Sequence, residues 1–267
     1  SLLRQAIDQY QMIENGDHIA IGISGGKDSL TLLYGLSQLQ KFYPKHFTLS
    51  AITVDMGLDT MNLEPIKALC ADFNVPYEII STEIGKILFE ARKGSNPCAL
   101  CAKMRKGALN QKALELGCNK IALGHHYDDV IETILMGMLW GAQVQTMMPK
   151  LHSTNFPGME LIRPMYLIRE DDIKAWRDAN DLHFIQCACR FTDTCTTCRP
   201  NEEAKSKRQQ TKQLIRELKK TNPEVEAHIF RSMENVCLDT VIAYKTGGRK
   251  ISFLENYDRP RKSGETE

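Results

Sequence analysis

Two hydrophobic rhythms alternate along the first half of the chain. Short, nearly continuous apolar runs at His18–Ser24, Leu49–Val54, Tyr77–Ser81 and Lys120–Gly124 read as buried strands. Between and after them, apolar residues recur at helical spacing over Ser29–Tyr43, Met61–Phe73, Ala102–Leu116 and from Asp128 to about Trp140. Strands with no polar face need cover on both sides, and alternating strands and helices supply it. The expected architecture is α/β: a doubly wound parallel sheet, with ligands beyond the carboxyl ends of its strands. Gly141–Arg163, holding Pro149, Pro157 and Gly158, has no clear period and reads as an irregular connection with room for short strands. Helices are expected at Glu170–Asn180, Asn201–Lys220 and Pro223–Val236, the last with proline in its first turn, and a short strand at His183–Gln186. This divides the chain into an α/β domain over 1–165, a helical, cysteine-rich region over 166–256 packed on it, and a tail over 257–267 that reads as disordered.

Composition narrows the class. Hydrophobic residues make up 42% and charged residues 25%, enough to bury a core, which excludes a disordered chain or a fibre. Thirty-four Lys and Arg balance 33 Asp and Glu, so any nucleic-acid surface is local. No apolar run nears the roughly 18 residues that span a bilayer; the most apolar, Ile131–Ala142, holds Glu132 and Thr133. The opening SLLRQAIDQY carries an acid and no apolar h-region, so no signal peptide and no membrane contact are expected, and the location expected is cytoplasmic. Of the nine cysteines, six form the close pairs Cys98/Cys101, Cys187/Cys189 and Cys195/Cys198, a spacing of metal or redox chemistry. Cys70, Cys118 and Cys237 read as small buried hydrophobes.

The strongest motif is Ser24-Gly25-Gly26-Lys27-Asp28-Ser29, between a strand and a helix. Two glycines let backbone N–H groups converge on an anion, and the following helix adds its positive end. Lys27 contributes charge, Ser24 and Ser29 hydroxyls, and Asp28 a carboxylate suited to magnesium. It is not a Walker A loop: Ile21 stands where that pattern needs glycine, and Asp28 follows the lysine. Asp55 ends the second strand on the same sheet edge, placed for ribose or magnesium; the lesser reading, taken alone, is a helix N-cap or turn residue. Gly124-His125-His126-Tyr127-Asp128-Asp129 follows the fourth strand, bringing two imidazoles and two carboxylates to that edge. Cys98 and Cys101 open a helix whose dipole favours thiolates, and five cations face one acid between Glu90 and Gly107. Arg199–Lys220 carries eight cations and three acids, which suits phosphate contacts or a solvated helix face.

In that order, SGGKDS, VDMG, PCALCAKMRKGAL, LGHHYDD and a cysteine after HFIQ resemble the tRNA 2-thiocytidine synthetase family, from about Leu2 to about Val236. SGGKDS alone resembles only the wider PP-loop ATP pyrophosphatases, whose fold is adenine nucleotide alpha hydrolase-like. The resemblance implies an ATP-dependent tRNA sulfurtransferase that adenylates the C2 oxygen of an anticodon-loop cytidine and replaces it with sulfur. It implies ATP, Mg2+ and a [4Fe-4S] cluster as cofactors, and as partners tRNA and a sulfur donor such as a cysteine desulfurase. Ser24, Gly25, Gly26, Lys27, Asp28, Ser29, Asp55, Gly124 and His125 would bind the nucleotide. Lys27, Asp55 and Asp129 would carry the catalysis, and Cys98, Cys101 and Cys187 would hold the cluster. The chain departs from the pattern in having Cys189, Cys195 and Cys198 beside Cys187, which leaves the third ligand open among the four. Tyr127 also stands where a basic residue is expected. A thiouridine synthetase remains an alternative, as does a zinc-stabilised nucleotide-dependent RNA-binding protein with Zn2+ at the later cysteines. The apolar Ile131–Trp140 helix suggests a homodimer.

Overall fold

The structure is a computed structural model and describes residues 1–57, 62–90, 97–180, 206–255 and 257, with side chains except at 88–90 and 97–99. Its centre is a six-stranded sheet of β1 (Asp17–Gly22), β2 (Phe47–Asp55), β3 (Tyr77–Ser81), β4 (Lys120–Ala122), β5 (Lys150–His152) and β6 (Glu160–Ile162). The spatial order is β3-β2-β1-β4-β6-β5; all neighbours are parallel except β5 against β6. The chain moves outward from β1 to β2 and β3, then returns to place β4 on the other side of β1. That reversal makes the β1/β4 crevice the topological switch point.

The strands are apolar on both faces, and each face has its own core. Ile19 and Ile21 of β1 pack with Leu32, Leu33 and Leu36 of α2 (Lys27–Gln40), following α1 (Leu2–Gln9) in the chain, and with Val130, Ile131 and Ile134 of α6 (Tyr127–Gly141). Ala20, Ile52 and Ile121 face the opposite way, onto Ala113 of α5 (Pro97–Glu115). α3 (Glu64–Asp72) and α4 (Ile84–Glu90) complete this half. The later helices α7 (Glu170–Ala179), α8 (Lys207–Thr221) and α9 (Val225–Ser232) add Ile173, Ile215 and Phe230 to the first of these cores.

The parallel α/β sheet is as expected, and the irregular Gly141–Arg163 stretch indeed holds two short strands. Three details differ. α5 begins at Pro97, so both Cys98 and Cys101 lie inside the helix rather than ahead of it; proline at a first helical position fits without losing a backbone bond. The region after α9, expected to be helical, contains a hairpin of β7 (Ala243–Thr246) and β8 (Arg249–Ser252). Gly247 and Gly248 turn it with φ of +55° and +77°, the conformation that a two-residue hairpin loop requires. Cys237 is exposed, whereas Cys70 and Cys118 are buried as expected, their thiols pushed up to about 11 by burial. The expected strand His183–Gln186, the start of the Asn201 helix, and the tail beyond Tyr257 lie outside the described residues.

Candidate nucleotide and thiol site

The phosphate loop leaves β1 at Gly22 and enters α2 at Lys27, with Gly26 as the helix N-cap. Gly25 sits at φ +78°, a conformation open to glycine at little cost. The loop is wound around the Ser29 hydroxyl, which donates to the Gly26 carbonyl at 3.0 Å and accepts from the Ser24 amide at 3.2 Å. The Ser24 and Ser29 hydroxyls lie 3.2 Å apart. The Lys27 ammonium pairs with Asp28 at 2.8 Å and Glu170 at 3.2 Å. Burial works against its charge, but these two carboxylates hold it above the ordinary lysine range.

The β4 turn closes on this loop. A Cβ on Gly124 would lie 3.0 Å from the carbonyl carbon and oxygen of Asp28 and 3.1 Å from the Ser29 nitrogen, so a side chain there would force backbone to give way where the two loops touch. His126 is buried next to Asp28 (3.9 Å) and Asp129 (3.5 Å), and its Nδ1 has no hydrogen-bond partner. The His126 amide donates to Asp129 at 3.1 Å. Burial opposes the charge on Asp129, yet His126 and Arg208 hold its carboxyl below the usual range. His125 is different: burial, then Arg163, pushes it down to about 4, so it is neutral near pH 7. Arg163 donates from Nε to His125 Nδ1 at 3.4 Å, which leaves Nε2 as the proton-bearing nitrogen.

The Ser24–Ser29 loop, Gly124 and the His126–Asp129 turn thus meet at the switch point. Asp55 stands at the carboxyl end of β2, its carboxylate accepting from the Gly57 amide at 3.0 Å. Asp128 is taken by structure: it accepts from the Glu170 amide at 2.7 Å, capping α7, and pairs with Arg169 at 3.2 Å. Cys101 is a free, half-buried thiol whose Sγ lies 3.6 Å from Sδ of Met56, the residue after Asp55. That contact brings α5 to the same sheet edge as the phosphate loop. Lys103, Arg105 and Lys106, one turn on, have no ion pair among the described residues. The Cys98 side chain and Cys187, Cys189, Cys195 and Cys198 lie outside the described residues, so the expected three-cysteine set is not assembled by them; no group of three candidate metal-ligating side chains occurs among the described residues.

Two expectations change. The basic α8 is largely tied down: Arg208 pairs with Asp129 at 2.6 Å, Lys212 with Glu170 at 3.3 Å, Lys219 with Glu226 at 2.6 Å and Lys220 with Glu217 at 2.6 Å. Tyr127 does not face a free surface. Its ring stacks on Phe230 with centroids 4.6 Å apart, and the Arg169 guanidinium lies 4.9 Å from its centroid. The sequence did not bring Glu170, Glu132, Arg208 and Lys212 to this site, because they belong to no spaced motif and meet only through folding. Trp176 packs on Tyr34 at 4.9 Å, as an anchor, while Met138, Leu139 and Trp140 leave the end of α6 exposed.

A glycine-rich loop wrapped on the first helix of a parallel sheet, answered by a second loop across the switch point, defines a phosphate-binding α/β protein of the PP-loop class; the PP-loop domain family matches residues 2–191. The chain is 36% identical to the tRNA-cytidine(32) 2-sulfurtransferase of Syntrophotalea carbinolica over 238 residues, covering 88% of this chain and 87% of that protein. It is 36% identical to that of Photorhabdus laumondii over 233 residues, covering 87% and 72%. In fold it is similar to the U34-tRNA thiolase NcsA from Methanococcus maripaludis, solved with its [4Fe-4S] cluster: TM-score 0.68, 24% identity, 87% of this chain and 76% of that one. The chain belongs to the tRNA-cytidine(32) 2-sulfurtransferase family. Among the described residues, no helix is long and apolar enough to cross a membrane.

Proposed function

We propose that this protein is an ATP-dependent tRNA sulfurtransferase that converts an anticodon-loop cytidine to 2-thiocytidine. The observation that carries the reading is the convergence of a phosphate loop and a free thiol, Cys101, on one sheet edge, with Asp55 between them in the chain's layout. Cytidine as the target base is supported by the similarity to tRNA-cytidine(32) 2-sulfurtransferases.

The chemistry needs both halves of that edge. Oxide is a poor leaving group from C2 of cytidine. Attack of the C2 oxygen on the α-phosphate of ATP expels pyrophosphate and makes AMP the leaving group. Backbone N–H groups at the start of α2 hold the phosphates, and Lys27 offsets the charge that develops on pyrophosphate. Asp28 and Asp55 are the carboxylates that would hold Mg2+, which would supply neutralisation of phosphate charge. His125, neutral with a proton on Nε2, can donate a hydrogen bond without adding charge. Asp129, kept ionised, orients His126 and the start of α6. Sulfur then attacks C2 and AMP departs with the original oxygen.

Cys98, Cys101 and Cys187 are the residues that would hold a [4Fe-4S] cluster, and the half-buried Cys101 thiol on an apolar edge suits a thiolate ligand. Held by three thiolates, a cluster would supply an iron able to take up sulfur. A cysteine desulfurase-type donor would supply that sulfur as a persulfide, and a thiol reductant, leaving as a disulfide, would bring it to the sulfide level that attacks C2; the target base is splayed out of its stack to expose C2.

The test uses protein purified without oxygen. Iron and acid-labile sulfide are measured per chain, and tRNA nucleosides are analysed by mass after incubation with ATP and a sulfur source. About four irons and four sulfides with 2-thiocytidine are expected. Cys98→Ala should abolish thiolation while leaving ATP binding near that of the parent. Thiolation by that variant would overturn the cluster assignment, and a thiouridine product would overturn the substrate.

A further inference from the structure

Contacts between titratable side chains around the phosphate loop close into a ring. From Lys27 the contacts run to Asp28 (2.8 Å), His126 (3.9 Å), Asp129 (3.5 Å) and Arg208 (2.6 Å). They continue to Glu132 (3.5 Å), Lys212 (3.5 Å) and Glu170 (3.3 Å), and return to Lys27 at 3.2 Å. Glu170 is the member that joins the loop to the later helices. One carboxylate oxygen meets Lys27, the other Lys212, and its backbone amide is fixed by Asp128.

Lys27 is therefore held by two carboxylates rather than offered to an anion. A polyphosphate can recruit it only by taking it from them. Releasing a half-buried carboxylate with no replacement cation is costly, but the second oxygen of Glu170 already has Lys212 at 3.3 Å and Lys174 at 3.6 Å. Although burial opposes it, Lys212 and Lys27 pull the Glu170 carboxyl down to about 2, so the counter-charge is permanent near neutral pH.

We propose that Glu170 is a positioning residue that keeps the Lys27 ammonium in reserve in the nucleotide-free protein and yields it to the polyphosphate of ATP, while Lys212 takes up the released carboxylate. The exchange ties nucleotide binding to α7 and α8, the two helices that flank residues 181–205, and hence Cys187, in the chain. The inference rests on assigning the phosphate loop to ATP.

The probe is the α,β-methylene analogue of ATP with Mg2+, titrated calorimetrically into wild type, Glu170→Gln, Lys212→Met and the double variant. Glu170→Gln removes the competitor and should tighten binding by roughly three- to fivefold, and Lys212→Met removes the acceptor and should weaken it by a similar factor. In the double variant the Lys212→Met effect should vanish, because no carboxylate is left to hand over. If Lys212→Met weakens binding equally with and without Glu170→Gln, or if both single variants weaken it, the exchange is wrong. Should Glu170→Gln fail to fold, Lys212→Met and Lys212→Arg decide the matter: the arginine must restore wild-type affinity where methionine loses it, and equal loss overturns the proposal. Wild-type protein that does not bind the analogue overturns the ATP assignment and the exchange with it; wild-type binding with additive variants overturns the exchange alone.

Discussion

Single residues set the tolerances of this site. Gly124 is required for contact: its missing side chain is what lets the β4 turn lie against the backbone of Asp28 and Ser29. Gly124→Ala is expected to destabilise the fold by about 1–3 kcal/mol, because backbone, not a flexible side chain, would have to yield. Nucleotide binding should fall by at least tenfold; unchanged melting temperature and affinity would show that the loops separate freely. Glu132 makes a different prediction. It is 2% exposed, its Oε2 lacks a hydrogen-bond partner, and burial pushes its carboxyl up to about 7 in spite of Lys212 and Arg208. The folded protein holds this proton more tightly than the unfolded chain. The associated stability is therefore present in full below about pH 4.5 and is lost as pH rises through about 7. Glu132→Gln should match wild type near pH 4.5 and exceed it at pH 8 by on the order of 1–3 kcal/mol in denaturant titrations. An unchanged difference across that range would contradict the raised value.

Elements join through their ends. Asp128 caps α7 through the Glu170 amide, so the helix that presents Glu170 is fastened to the turn that carries His125. Asp128→Ala should cost about 1 kcal/mol and speed hydrogen exchange in the first turn of α7; protected amides there would mean another group caps the helix. α8 is held in a comparable way at its start, where Ser206 and Gln209 exchange side-chain-to-backbone bonds at 2.9 and 3.3 Å. At the other end of the sheet, Lys120, 3% exposed, pairs with Asp17 at 2.8 Å and Glu160 at 3.2 Å, bracing β4 between β1 and β6. The functional loops at the carboxyl edge thus rest on strands locked at the amino edge.

On the scale of the whole molecule, near-neutral net charge leaves tRNA attraction to local patches. Arg208 and Lys212 of α8 are engaged by partly buried carboxylates of the protein itself, and Lys219 and Lys220 have carboxylate partners at the surface. Lys103, Arg105 and Lys106 carry no such pairs among the described residues and lie beside Cys101. Neutralising those three should reduce the slope of log affinity for tRNA against log salt by about 2–3, each lost phosphate contact counting for roughly one. Neutralising Lys219 and Lys220 should leave the slope nearly unchanged. The reverse pattern would move the tRNA surface to α8.

The sequence by itself determined the βα alternation, the phosphate loop, the GHHYDD turn and the CxxC helix. Each depends on neighbours a few residues apart, through strand period, helix period or glycine conformation. It also carried the Gly247-Gly248 hairpin in a readable form that the helical expectation for that region passed over. Only the tertiary structure decided which charges meet. Lys27 and Glu170, or Asp129 and Arg208, are far apart in the chain, and no local rule pairs one carboxylate with one of 34 cations. The same limit explains why the cations of α8 suited phosphate contacts or a solvated face equally, and why the packing of Tyr127 on Phe230 had no signal in the sequence. A charge or an aromatic ring has the same appearance in a sequence whether it faces solvent or a partner brought beside it by the fold.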